Sequence, residues 1–315
     1  MARRRLRRRL WGLLVVGVAL IAAGCLPVAP TPSPPAPPPT TSAYAGTVLP
    51  PGAPNPYGAA GKGEFVALCP FSKRATIDPI VAPGSTTFWH EHDFFGNQTT
   101  DPNSTAASLL GQATTCVPGF DTAAYWVPTL LHWGTPVSPV SATFFYRVVA
   151  PEDPAKVQPF PTGLIMVAGS SGAVTPQPSS VVQWGCAGSA TTGATIAWCH
   201  GHNLVLDLHF PECWDGVHLD SADHKSHMAY AQSQGCPADH PVLVPQLTFE
   251  FQWSVSGRGV TVSSDHTMSG TNVTPGLTAH GDFINAWSPE IMQQRVTTCL
   301  RAAVICDENG TVTGS

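Results

Sequence analysis

Proline and glycine punctuate this chain at short intervals, and the runs between them are rich in β-branched and aromatic residues. SATFFYRVV at 141–149, GLIMV at 163–167, VVQW at 181–184, LVLDLHF at 204–210 and LTFEFQWSV at 247–255 each have strand length. The last alternates apolar and polar residues with period two, as a strand with one buried face does. Only SPEIMQQRVTTCL, 288–300, reads as helix, opened by the start signal Ser288-Pro289-Glu290. No repeat and no second linker interrupts these runs. They predict a single all-β domain of about 245 residues over 61–306, a β-sandwich or jelly-roll with long loops and one short C-terminal helix. Residues 307–315 are expected to trail as a flexible tail.

The first sixty residues have a different character. MARRRLRRRL is a basic n-region, and Leu10 to Ala23 is an apolar run too short to span a bilayer but suited to a signal h-region. Ala22-Ala23-Gly24 then precede Cys25, the pattern of a lipoprotein cleavage site in which the thiol of Cys25 would be lipidated; ordinary signal cleavage nearby is the alternative. Twin arginines also leave a Tat route open. Residues 26–60 are dense in proline, small residues and threonine and carry no charge, so they are expected to run as a disordered, extended stalk. Together these features predict an extracellular, cell-surface protein that touches the membrane through a lipid anchor only.

Export changes the meaning of the cysteines and of the charge. Nine cysteines less Cys25 leave Cys69, Cys116, Cys186, Cys199, Cys213, Cys236, Cys299 and Cys306, an even set that reads as up to four disulfides in an oxidising compartment. Sequence alone leaves the connectivity open. Pairing each cysteine with its neighbour gives 69 with 116, 186 with 199, 213 with 236 and 299 with 306. Six of the fifteen basic residues lie in the leader, which leaves nine against twenty acidic ones, a net charge of −11 for the mature part. That excess disfavours nucleic acid and polyanion steering. A monomer that meets neutral or cationic partners is expected.

Two constellations could carry chemistry. FWHEHDFFGN, 88–97, concentrates ionisable groups among aromatic ones. If 88–95 is a strand, Phe88, His90, His92 and Phe94 share one face, and two imidazoles on one face can grip a divalent metal ion or flank a sugar. A third ligand would come from His280, His224 or His227. Equally, the pair could be hydrogen-bonded histidines in a polar cleft. FPECWDGVHLDSADHKSHMAY, 210–230, holds Asp215, Asp220, His224, His227 and Tyr230 beside Trp214, in a loop that a Cys213–Cys236 bond would brace. Its bland alternative is a loop whose aspartates cap turns and whose histidines satisfy carbonyls.

These blocks, with IDPIVAPG at 77–84, AAYWVPTL at 123–130, FPTGLIMVAG at 160–169 and AHGDFINAW at 279–287, resemble the DUF1996 family of secreted fungal and actinobacterial proteins. Phe88 stands where the family pattern has serine, which removes a hydroxyl and keeps both histidines. The family has no assigned activity. The resemblance implies an extracellular setting, and the WSC modules of fungal relatives suggest wall polysaccharide. The positions matching the family's polar motifs are His90, His92, Trp126, Asp215, Asp220, Ser221, His224, His227, Tyr230, His280 and Asp282.

Two functions are therefore weighed. In an enzyme acting on wall polysaccharide, Asp215, Asp220 and Asp282 would supply the carboxylates of a glycoside hydrolase, with Trp126 and Trp214 as stacking faces. In a lyase, His227 or His90 would abstract a proton and Tyr230 donate one. The other possibility is a non-catalytic module that binds carbohydrate or a metal. No Gly-x-Ser-x-Gly elbow occurs, which argues against serine hydrolase chemistry.

Overall fold

The computed structural model describes residues 63–314 apart from 191, 267–269 and 271. The leader, Cys25 and the stalk lie outside the described residues. Two large sheets dominate. Strands Thr192–Gly193, Val182–Cys186, Leu204–His209, Gln246–Trp253, Ser141–Arg147, Glu64–Leu68, Ile305–Cys306 and Val312–Gly314 lie side by side in that order. Phe71–Ala75, His92–Gly96, Ala124–Pro128, His280–Ile284 and Ile165–Gly169 form the five-stranded sheet. Among the described residues regular structure is mostly strand with few helices, as the short β-rich runs predict.

The sheets stack through their aromatic faces. Along Ser141–Arg147 positions 141, 143 and 145 are half-buried while Ala142, Phe144 and Tyr146 are buried, the signature of one face in a core. Tyr125 of the smaller sheet meets Phe144 of the larger at a ring separation of 4.0 Å, and Phe95 meets Phe251 at 4.8 Å. A second, smaller apolar cluster of Ile77, Ile80, Phe94, Leu109, Trp126 and Ile284 covers part of the outer face of the five-stranded sheet. That outer face carries the candidate site.

The disulfides pair as neighbours: Cys69–Cys116, Cys186–Cys199, Cys213–Cys236 and Cys299–Cys306. The expected helix begins under the Ser288 cap, runs over Pro289–Arg295 and widens into a π turn at Val296–Leu300. A one-turn helix at Ala106–Leu109, capped by Thr105, was not legible as a pattern because four residues show no period. The tail expected from 307 is a correction: Val312–Gly314 pairs with Ile305–Cys306 at the sheet edge. Unpaired backbone groups of an edge strand favour such an addition even without apolar content.

Inside the sandwich lies a polar knot. Tyr125 donates to Asp121 at 2.7 Å, the Tyr125 and Tyr146 hydroxyls stand 2.6 Å apart, and the Trp287 indole donates to both. Burial pushes the Asp121 carboxyl up to about 8, against the lowering effect of bonds from Tyr125 and the Ala123 amide. Because the folded value lies above the ordinary one of 3.8, this stabilisation is present below about pH 4 and is lost as pH rises through about 8. Over that window folding takes up a proton, so Asp121 contributes a fall in stability of up to about 1.4 kcal/mol per pH unit. Urea midpoints measured from pH 4 to 9 should show a flatter profile for Asp121→Asn than for the wild type. Parallel profiles would contradict the assignment.

Candidate metal centre

Strand alternation selects which side chains leave the core. Along His280–Ile284, His280, Asp282 and Ile284 face outward, while Phe283 packs inward and a side chain at Gly281 would run into Leu208, Phe249 and Phe210. On the opposite flank of the central strand, His92 and Phe94 face outward and Phe95 inward. His92 pairs with Pro128 and Asp282 with Trp126, two positions apart on the central strand. Register therefore gathers a histidine from one neighbour and a histidine and an aspartate from the other.

His90 precedes the strand, which starts at His92 rather than at Phe88. It nonetheless joins the same side: the rings of His90 and His92 lie 4.3 Å apart, with Phe88 packed on both. Glu91 and Asp93 turn the other way, to Arg74. Phe88 is thus an apolar roof over two imidazoles.

Three Nε2 atoms converge. His280 Nε2 lies 3.3 Å from His90 Nε2 and 3.5 Å from His92 Nε2. His92 Nδ1 donates to the Ile77 carbonyl at 2.9 Å and His280 Nδ1 to the Thr278 carbonyl at 2.8 Å. Those bonds fix the tautomers of His92 and His280 and leave their Nε2 atoms as facing lone pairs, while His90 Nδ1 has no partner among the described residues. Facing lone pairs repel unless a cation lies between them, and tetrahedral bonds of about 2.0–2.1 Å would set ligand nitrogens about 3.3–3.4 Å apart. The observed separations match that spacing.

Carboxylates complete the set. Asp282 is buried, neither of its oxygens has a hydrogen-bond partner among the described residues, and its Oδ2 is 3.9 Å from His280 Nε2. Asp78, which uses one oxygen to accept from the Ile80 and Val81 amides, can place a ligand atom within 4.8 Å of those of His92 and Asp282. Burial, then the nearness of His92 and His280, holds His90 far below the usual imidazole range; burial likewise depresses His92 and brings His280 to about 4. Burial, then the Asp78 charge, pushes Asp282 well up, with Lys225 opposing. Neutral imidazoles beside a carboxyl that needs a counter-charge form the donor set of a divalent transition ion.

The second constellation is mostly satisfied within itself. Asp215 accepts from the Val217 and His218 amides and pairs with the His218 ring at 2.6 Å; burial works against ionisation, but these bonds outweigh it and bring Asp215 down to about 2. Asp220 binds the His224 ring at 2.9 Å. Both nitrogens of His227 are engaged, one 2.9 Å from Ser221 Oγ and one donating to the Ile165 carbonyl at 2.7 Å. Tyr230 donates to the His209 carbonyl, and burial raises its phenol. Trp214 closes its own turn by donating to the His218 carbonyl. Trp126 has no face open to a sugar: it is 0% exposed and stacks on Phe94. The carboxylates that meet are Asp282 and Asp78, and Asp215 and Asp220 serve their loop's turns.

Only the tip of that loop reaches the centre. His224 interacts with Asp78, and Lys225 interacts with Asp282 while donating to the Gly169 carbonyl. Sequence reasoning did not pick out Asp78 or Lys225. Asp78 opens the IDPIVAPG block, and Lys225 is one of four lysines in the chain. Beside this tip runs a groove of about 270 Å³ whose walls include Val167, Gly169, Ser170, Gln177, His224 and Lys225.

With this geometry in place, the family is plain. The profile of the family described as "Domain of unknown function (DUF1996)" matches residues 78–287, and the chain belongs to that family. The matched span opens at Asp78 and encloses every ligand candidate named above. No curated protein and no solved structure matches the chain.

Proposed function

We propose that the chain is an exported, lipid-anchored surface metalloprotein. In it His90, His92 and His280 hold one divalent transition ion, Asp282 balances its charge, and the adjoining groove presents extracellular polysaccharide to it. The observation that carries the metal half is the convergence of three Nε2 atoms at 3.3 and 3.5 Å, with two rings locked by carbonyls. The bound ion would act as a Lewis acid toward a sugar oxygen or carboxylate. Lys225, at the groove wall and next to Asp282, would neutralise an anionic sugar there. Export, anchoring and the stalk rest on the leader sequence and accord with four disulfides.

Burial of all three histidines and the internal engagement of His227 and Tyr230 favour a second reading, a non-catalytic module whose metal is structural. One experiment addresses both. After gentle dialysis, metal analysis should find about one transition ion per chain. Stripping it with a chelator and restoring it should switch sugar release from isolated wall material off and on. Metal without any product selects the non-catalytic module; no stoichiometric metal contradicts both.

A further inference from the structure

A different part of the surface exposes two tryptophans. Trp133 is 72% and Trp198 60% exposed, unusual for the largest apolar side chain. Both are held in place. Trp133, at a backbone φ of 52°, donates its amide to the Gly259 carbonyl, and its ring lies so close over Gly259 that a Cβ there would fall 2.3 Å from it. Trp198 precedes Cys199, which is bonded to Cys186 and whose amide donates to the Ser256 carbonyl. Its indole stacks on His200 at 4.0 Å, and the Arg258 guanidinium stands 5.9 Å from the ring.

One tight turn, Ser256-Gly257-Arg258-Gly259, thus touches both indoles. Gly257 and Gly259 both have positive φ and could not carry side chains in this packing. Beside the turn is a groove of about 540 Å³ bordered by Trp133, Thr195, Ile196, Gly257, Gly259 and Thr261, and Trp198 and Arg258 stand outside its lining, on the surface next to Ile196 and Gly257. None of these residues belongs to the metal centre. Segments 130–137, 192–202, 254–264 and 272–276 contain no aspartate or glutamate, in a chain with twenty acidic residues, and Arg258 is their one full cation.

We propose that this groove is a second ligand site, which binds an acidic polysaccharide chain with pyranose rings stacked on Trp133 and Trp198 and a sugar carboxylate on Arg258. Exposed indoles beside a groove walled by threonines suit a string of sugar rings, each with an apolar face and a polar edge. A stable protein partner would instead bury about 800 Å² of this surface. The planar fork of Arg258 matches a carboxylate bidentately, and the nearest acid in sequence, Asp265, is buried and taken up by the Val262 and Gly276 amides and the Thr278 hydroxyl.

The test titrates the metal-loaded protein with an oligogalacturonate and with a neutral glucan oligomer of equal length, by calorimetry. Trp133→Ala and Trp198→Ala should each weaken oligogalacturonate binding about tenfold or more. Arg258→Gln should remove both the preference over the neutral oligomer and the salt dependence. Because these side chains are exposed, circular dichroism and metal content should stay those of the wild type, which separates this site from the metal centre. Trp133→Phe, with a smaller face, should fall between. The proposal is overturned if the wild type does not bind the oligogalacturonate, if both alanine variants bind it as the wild type does, or if the neutral oligomer binds equally well.

Discussion

His280→Ala is expected to weaken binding of a transition ion at least about a hundredfold, a larger effect than any other single change in the protein. His280 is the hinge of the set: its Nε2 is the one that approaches both His90 and His92, and its carboxylate neighbour Asp282 sits two residues along the same strand face. Its removal leaves two imidazoles and a buried carboxyl that no longer share a focus. Asp282→Asn should keep the shape and lose charge compensation, for a weakening of about ten- to a hundredfold. His227→Gln and Asp215→Asn, which alter bonds inside the 213–230 loop, should leave metal affinity unchanged. Competition against a chromophoric chelator measures all four. Equal loss in the loop variants would mean that the centre is not where the imidazoles converge.

Trp287→Ala should cost about 3–5 kcal/mol of stability, measured by urea unfolding. The indole is fully buried, packs edge-on against Phe65 and Tyr146, and donates to the hydroxyls of Tyr125 and Tyr146. The alanine variant loses the ring's contacts and the indole donor shared by two phenol oxygens, which keep their bonds to each other and to Asp121. Trp287→Phe keeps most of the volume and removes the donor, so its cost should be nearer about 1–3 kcal/mol. Neither change should alter the metal-to-protein ratio of the folded fraction, since Trp287 packs within the main core while the imidazoles stand on the outer face. A loss under about 1 kcal/mol for the alanine variant would contradict the packing role.

The fold was legible where its cause is local. Alternation in 247–255 records a half-buried sheet surface directly, and an even set of eight cysteines announced four disulfides. The helix at 106–109 and the terminal strand at 312–314 were not legible, because a single turn has no period and an edge strand can be built from backbone bonds alone. The site was half legible. His90 and His92 are near neighbours in sequence, and His280 with Asp282 repeat the same spacing, although only the second pair lies on one strand face.

Which loop would cover them was hidden. The 210–230 segment looked like chemistry because it is dense in polar groups, yet hydrogen bonding within the loop uses most of them. Trp126 looked like a platform because indoles often are, but tertiary packing buried it. Asp78 and Lys225 reach the centre from loops whose approach only the folded chain defines. Trp133 and Trp198 give no period and no motif, and their exposure follows from a glycine turn distant in sequence from both.

The most direct measurement is X-ray absorption at the metal edge of the protein loaded with zinc. A centre formed by His90, His92 and His280 with Asp282 predicts three nitrogen scatterers of imidazole type at about 2.0–2.1 Å and an oxygen at about 2.0–2.2 Å, with one imidazole lost in His280→Ala. A spectrum with oxygen ligands alone, or one unchanged in His280→Ala, would contradict it.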